Sequence, residues 1–134
     1  MARRNFEEGY LQIPSNKIQL QLDFTGAAIA TVDGYYSINN NTVFLYVPQT
    51  VLTATASSYL TANLPHEITP SQTASLIGSV ITSSDPTTYS ETQGVITVAN
   101  TGILTISTNL QYNQFTSGNR CGTFSGQTLI YNLY

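Results

Sequence analysis

The sequence predicts a single all-β domain, a β-sandwich or jelly roll of about eight to nine antiparallel strands. Apolar and polar residues alternate with a period of two from Lys17 onward, which is typical of strands with one buried face. Turn-forming residues interrupt this alternation at short intervals, and no segment shows a convincing helical period. The 134 residues have the length of one domain. We expect residues 17–134 to form the sandwich and residues 1–16 to form an N-terminal arm.

Turn residues set the expected limits of the strands. The first strand, residues 18–24, ends before Gly26, and the Asp33-Gly34 pair predicts a turn after a second strand. The asparagines at 39–41 and the short segment 99–102 predict hairpin turns. Further strands are expected at 27–32, 35–38, 42–47, 52–57, 75–82, 95–98, 103–106 and 128–134.

Two longer connections separate these strands. Pro65 and Pro70 enclose a segment that cannot be a regular helix and is expected to be an ordered loop. Residues 113–122 are rich in Gly and Asn and are expected to form a second loop. The closing strand runs to the end of the chain, so we expect the C-terminus to be held in a sheet.

The strand at 42–47 is apolar on both faces. Such a strand is either central in a sandwich or covered by another subunit. The closing strand has a similar character, and we expect copies of the same chain to cover both.

The composition limits the classes of ligand. Only 8% of the residues are charged and the formal net charge is -3, so no basic stripe is present that could bind nucleic acid. The start of the chain lacks the apolar stretch of a secretory signal, and no segment is apolar over the length of a membrane span. With one cysteine, Cys121, no internal disulfide can form.

Groups able to carry out catalysis are few. His66 is the one histidine, and it sits in the loop between the two prolines, where a solvated or hydrogen-bonded side chain is the simpler interpretation. Cys121 is best explained as a small buried apolar group. Asp33 and Asp85 precede Gly and Pro, where turn chemistry accounts for them. We therefore predict no enzyme activity, no catalytic residue, no cofactor and no metal site.

Tyrosine is the remaining feature, with nine copies and no tryptophan. Tyrosine supplies a large, rigid contact area at a small cost in conformational entropy. Some tyrosines near turns and strand ends are candidates for receptor or subunit contacts, and others for ordinary core residues. The candidates are Tyr35, Tyr36, Tyr46, Tyr59, Tyr89 and Tyr112.

From Val43 to the C-terminus the chain carries short motifs in a definite order. They are Leu-Tyr-Val-Pro at 45–48, Leu-Pro at 64–65, Ile-Thr-Pro-Ser at 68–71, Asn-Thr-Gly at 100–102, Phe-Thr-Ser-Gly at 115–118 and Thr-Leu-Ile-Tyr at 128–131. In this order they resemble the C-terminal head domains of viral and bacteriophage fibres and receptor-binding proteins. The resemblance covers about the last two-thirds of the chain.

The resemblance implies a sandwich or jelly-roll head that forms a homotrimer, with loops at one end facing a receptor. No long repetitive shaft precedes the head. The resemblance therefore implies a small virion protein that is attached to other virion proteins through residues 1–16. We therefore expect a viral structural protein of the capsid surface or fibre, which assembles and binds a host glycan or protein receptor. A carbohydrate-binding module without catalytic activity is the alternative, although the absence of tryptophan disfavours it, and a small hydrolase is the third.

Overall fold

The fold is an all-β sandwich, as the alternation predicts. A computed structural model describes residues 17–28 and 30–134, and the predicted N-terminal arm lies outside them. In this part of the chain the structure has ten strands, against the eight to nine expected, and one 3-10 turn at His66–Ile68. The strands are β1 Ile18–Phe24, β2 Ala30–Asn39, β3 Thr42–Val47, β4 Thr50–Thr53, β5 Leu60–Asn63, β6 Ala74–Thr82, β7 Ser90–Val98, β8 Ile103–Ile106, β9 Arg120–Thr123 and β10 Gln127–Asn132.

Two antiparallel sheets enclose the core. The first has the order β1-β2-β3-β10, and the second has the order β4-β9-β6-β7-β8-β5. The closing strand β10 lies at the edge of the first sheet, where Leu129 pairs with Leu45 of β3. The hydroxyl of Tyr131 donates to the carbonyl of Ile68 at 2.7 Å and ties this strand to the 3-10 turn. The closing segment thus belongs to a sheet as predicted, but the strand ends at Asn132 and not at the final residue, and Tyr134 is 87% exposed.

The core lies between the inward faces of the two sheets. In β1, Leu20, Leu22 and Phe24 are buried while their neighbours are exposed, as the alternation predicts. Burying a leucine or isoleucine side chain contributes about 1.5–3 kcal/mol relative to leaving it in water, so these positions hold the sheets together. The largest fully buried side chains include Leu22, Val43, Leu45 and Val47 of the first sheet and Val80, Ile96, Val98 and Leu104 of the second.

The predicted turn at Asp33-Gly34 is wrong, because β2 runs straight through this pair. Gly34 pairs with Leu20 of β1. A Cβ atom at Gly34 would lie 2.6 Å from the carbonyl oxygen of Tyr46 on β3. Glycine is needed here for the close approach of a neighbouring strand and not for a change of direction. The hairpin turn at 39–41 is present, with Asn40 at a φ of +58°.

The expected loop at 113–122 is wrong at its end, where β9 begins. β9 lies between β4 and β6, and its residues Cys121, Gly122 and Thr123 are all buried. Gly122 has a φ of +124°, and a Cβ atom there would lie 1.9 Å from the carbonyl oxygen of Thr50. β5 was also not predicted, and β7 begins at Ser90 rather than at 95.

Candidate binding surfaces

The outer side of the first sheet carries a cluster of aromatic side chains. Tyr35 of β2 pairs with Tyr46 of β3, and Phe44 of β3 pairs with Ile130 of β10. These residues alternate with the inward-facing ones, so all four project to the side away from the core. Ile130 is 53% exposed. We call these four residues, Tyr35, Phe44, Tyr46 and Ile130, the aromatic face.

A pocket of about 220 Å³ opens on the aromatic face. The amino group of Lys17 lies 4.8 Å from the centre of the Tyr35 ring. A cation over an aromatic ring at an exposed site contributes about 0.5–1 kcal/mol, so this contact holds the lysine at the edge of the pocket. The pocket is lined by Lys17, Tyr35, Tyr36, Phe44, Tyr46 and Thr128.

Ser37 lies in the same cross-strand row as Phe44 and Ile130. Only 1% of its surface is exposed, and its hydroxyl has no hydrogen-bond partner among the described residues. A buried hydroxyl without a partner costs free energy. Among the residues that the structure describes, this sheet face therefore combines apolar rings, the amino group of Lys17 and a buried hydroxyl without a hydrogen-bond partner.

Tyr36 also borders this pocket, but it belongs to the buried core of the sandwich, on the opposite side of β2 from Tyr35. Its side chain is buried, and its hydroxyl donates to a carboxylate oxygen of Glu67 in the 3-10 turn. Burial, and then the hydrogen bond and the negative charge of Glu67, raise the pKa of Tyr36 to about 12. Tyr36 therefore fastens the loop between the two prolines to the sheet, while its neighbour Tyr35 is on the outside.

The other candidate tyrosines lie elsewhere. The hydroxyl of Tyr59 donates to the carbonyl oxygen of Tyr112 at 2.7 Å. Tyr89 is exposed and packs edge to face against Phe124, with the ring centres 5.9 Å apart. The six tyrosines thus do not converge on one site, and their roles as receptor or subunit contacts stay predictions.

A second apolar surface, which sequence reasoning missed, lies on the outer side of the second sheet. Ile77 of β6 pairs with Val95 of β7 and is 65% exposed. Leu110 and Tyr112, from the loop after β8, line the same groove. We call Ile77, Val95, Leu110 and Tyr112 the Ile77 face. The consecutive pair Leu76-Ile77 was the available signal, since a strand directs one of two successive apolar residues outward.

Polar groups border the Ile77 face. Glu91 and Ile77 line one groove, together with Gln93 and Gln127. The carboxylate of Glu91 accepts a hydrogen bond from the hydroxyl of Ser79 and is itself exposed. An apolar patch with a negative charge at its border therefore lies on the sheet opposite the aromatic face.

The titratable residues singled out from the sequence lie on different parts of the fold. His66 is exposed in the 3-10 turn, and Cys121 is fully buried, which raises the pKa of its thiol to about 12. Asp85 accepts hydrogen bonds from the two threonines at 87 and 88, which lower its pKa to about 2. Within residues 17–28 and 30–134, no group of three or more His, Cys, Asp and Glu could hold a metal ion.

No protein-family model and no curated protein matches this sequence. In the part of the chain that the structure describes, no helix is long and apolar enough to cross a membrane. The aromatic face and the Ile77 face are therefore the candidate binding surfaces of the described residues.

Proposed function

We propose that this chain is a viral structural protein without catalytic activity, a component of the capsid surface or fibre head that assembles as a homotrimer. The observation that supports it best is the aromatic face, where Tyr35, Phe44, Tyr46 and Ile130 stand on the outer side of a four-stranded sheet. Contiguous apolar surface of this kind marks an interaction site.

The composition supports assembly as well. With 8% charged residues, the surface has little like-charge repulsion to keep copies of the chain apart. Aromatic residues are enriched in the buried centres of interfaces, and charged residues are depleted there. In the proposed particle, residues 1–16 attach the head to other virion proteins, and loops at one end bind a host glycan or protein receptor.

Native mass spectrometry of the purified chain at micromolar concentration tests the oligomeric state. The expected result is a trimer that persists on dilution over a tenfold range. A monodisperse monomer contradicts the proposal. Electron microscopy of the native particle, with the chain labelled by an antibody, tests its position on the capsid surface or fibre.

A second candidate is a carbohydrate-binding module, and the pocket beside Tyr35 and Tyr46 favours it. Sugar rings stack on aromatic rings, and such pockets hold a small number of polar groups that fix orientation. A glycan array with Tyr35→Ala tests this function, and Tyr89→Ala is the matched control because Tyr89 is an exposed tyrosine on a different part of the chain. The module function predicts loss of glycan binding for the first variant alone.

A further inference from the structure

We propose that copies of this chain pack head to tail, with the aromatic face of one copy on the Ile77 face of the next. The inference rests on the proposed self-assembly and adds to it which two surfaces meet. Each copy then uses two different surfaces, so the contact is heterologous and not a two-fold contact of one surface with itself.

The apolar content of the two faces supports this pairing. The aromatic face presents Ile130 at 53% exposure, and the Ile77 face presents Ile77 at 65%. Tyr112, 54% exposed, adds an aromatic ring to the second face. Packing the two faces together removes these side chains from water, at about 25 cal/mol for each Å² of apolar surface buried.

Charge distinguishes the two faces. Lys17, the chain's one lysine, borders the aromatic face, and Glu91 borders the Ile77 face. When unlike faces meet, the amino group of one copy faces the carboxylate of the next. Electrostatic complementarity of this kind selects the correct partner surface and its orientation.

The positions of the faces in the sandwich set the type of assembly. They lie on the outer sides of different sheets, with the core between them. One copy can therefore bind two neighbours at the same time, one through each face. A heterologous contact that repeats gives a closed ring if its rotation brings the last copy back to the first, and an open chain if it does not; the proposed trimer is the closed case with three copies.

A two-fold dimer through the aromatic face is the competing arrangement. Asp33 lies on the same side of the first sheet as Lys17, on the neighbouring strand, and Asp23 lies further along β1. In such a dimer Lys17 of each copy would meet one of these carboxylates on the other. This arrangement would leave the Ile77 face uncovered, and the experiment below distinguishes it.

Complementation between two blocked variants tests the head-to-tail contact. Ile130→Arg blocks the aromatic face, and Ile77→Arg blocks the Ile77 face. Ile103→Arg is the matched control, because Ile103 is an exposed isoleucine on the same outer side of the second sheet as Ile77, but two strands away on β8 and outside the groove of the Ile77 face. Circular dichroism and thermal unfolding verify that each variant is folded before native mass spectrometry.

Each blocked variant alone is expected to be a monomer, and the control is expected to assemble like the unmodified chain. In an equimolar mixture of the two blocked variants, Ile130→Arg still has its Ile77 face and Ile77→Arg still has its aromatic face. The mixture is therefore expected to give a one-to-one heterodimer that does not grow further. A mixture that stays monomeric overturns the inference. So does an Ile77→Arg variant that assembles alone, since it indicates the two-fold contact.

Charge reversal at exposed positions provides a milder second test. Lys17→Glu and Glu91→Lys are each expected to weaken association by about tenfold, and the double variant is expected to recover it to within about threefold. A double variant as weak as the sum of the two single changes overturns the pairing. If the unmodified chain is itself a monomer, the proposed self-assembly is wrong. If the unmodified chain assembles but the variants do not give the results expected above, only the proposed head-to-tail contact is wrong.

Discussion

Raising the pH tests whether the one thiol of the chain is sealed in the core. Cys121 is fully buried, and burial raises its pKa from 9.0 to about 12. Well below pH 9 the thiol is protonated in both the folded and the unfolded chain, so it contributes no pH dependence to the stability. Above pH 9 the unfolded chain releases the proton while the folded chain retains it, so stability falls as the pH rises. At pH 10 the loss is about 1.4 kcal/mol relative to pH 7.

Urea unfolding of the unmodified chain and of Cys121→Ala, at pH 7 and at pH 10, measures this loss. Tyr36 and Tyr131 also have raised pKa values and also destabilise the fold in alkali. Both proteins contain these tyrosines, so the difference between the two proteins isolates the thiol. Cys121→Ala is expected to lose about 1.4 kcal/mol less between the two pH values. Equal losses in the two proteins refute the argument, as does rapid alkylation of the folded chain by iodoacetamide at pH 7.

Three further outcomes follow from individual contacts. Tyr131→Phe removes the hydroxyl that donates to the carbonyl of Ile68 and is expected to lower the free energy of unfolding by about 1–3 kcal/mol in urea titrations. An unchanged unfolding midpoint would show that this hydrogen bond is not made. Gly122→Ala places a methyl group against the carbonyl of Thr50 at a residue with a positive φ, and it is expected to lower the free energy of unfolding by more than about 2 kcal/mol in the same assay. An unfolding midpoint like that of the unmodified chain would contradict the close approach of the two strands. The Asp85 carboxyl is expected to titrate near pH 2 by NMR because two threonines donate hydrogen bonds to it, and a titration midpoint near 4 would contradict these hydrogen bonds. Its contribution to stability is present above pH 4 and is lost as the pH falls towards 2.

Alternation was sufficient to predict the strands whose two sides differ. In β1 every second residue is apolar, and three of these four, Leu20, Leu22 and Phe24, are buried, while Ile18 at the start of the strand is exposed. The turn at 39–41 was predictable because asparagine tolerates the positive φ that the structure has at Asn40. The straight course of β2 through Asp33-Gly34 was not predictable, because a glycine needed for close strand approach looks the same in sequence as a turn glycine.

The binding surfaces were harder to predict than the strands. Tyr35 and Tyr36 are adjacent, so a strand must place one on each side, but the sequence does not say which side is the core. The structure places Tyr36 inside and Tyr35 outside. β9 was missed for a related reason: Cys121 and Gly122 are both buried in the middle of a sheet and give no alternation.

The contact between Lys17 and Tyr35 makes the two proposed functions separable in one variant. The lysine amino group lies over the Tyr35 ring at 4.8 Å, so a sugar that stacks on this side of the ring must displace it. A carboxylate from a neighbouring copy would instead pair with the lysine where it stands. Lys17→Ala is therefore expected to weaken self-association in dilution experiments if the aromatic face is a subunit contact. If that face binds glycans, the same variant should leave glycan-array signals unchanged or raise them, and unaltered self-association would argue against the assembly role.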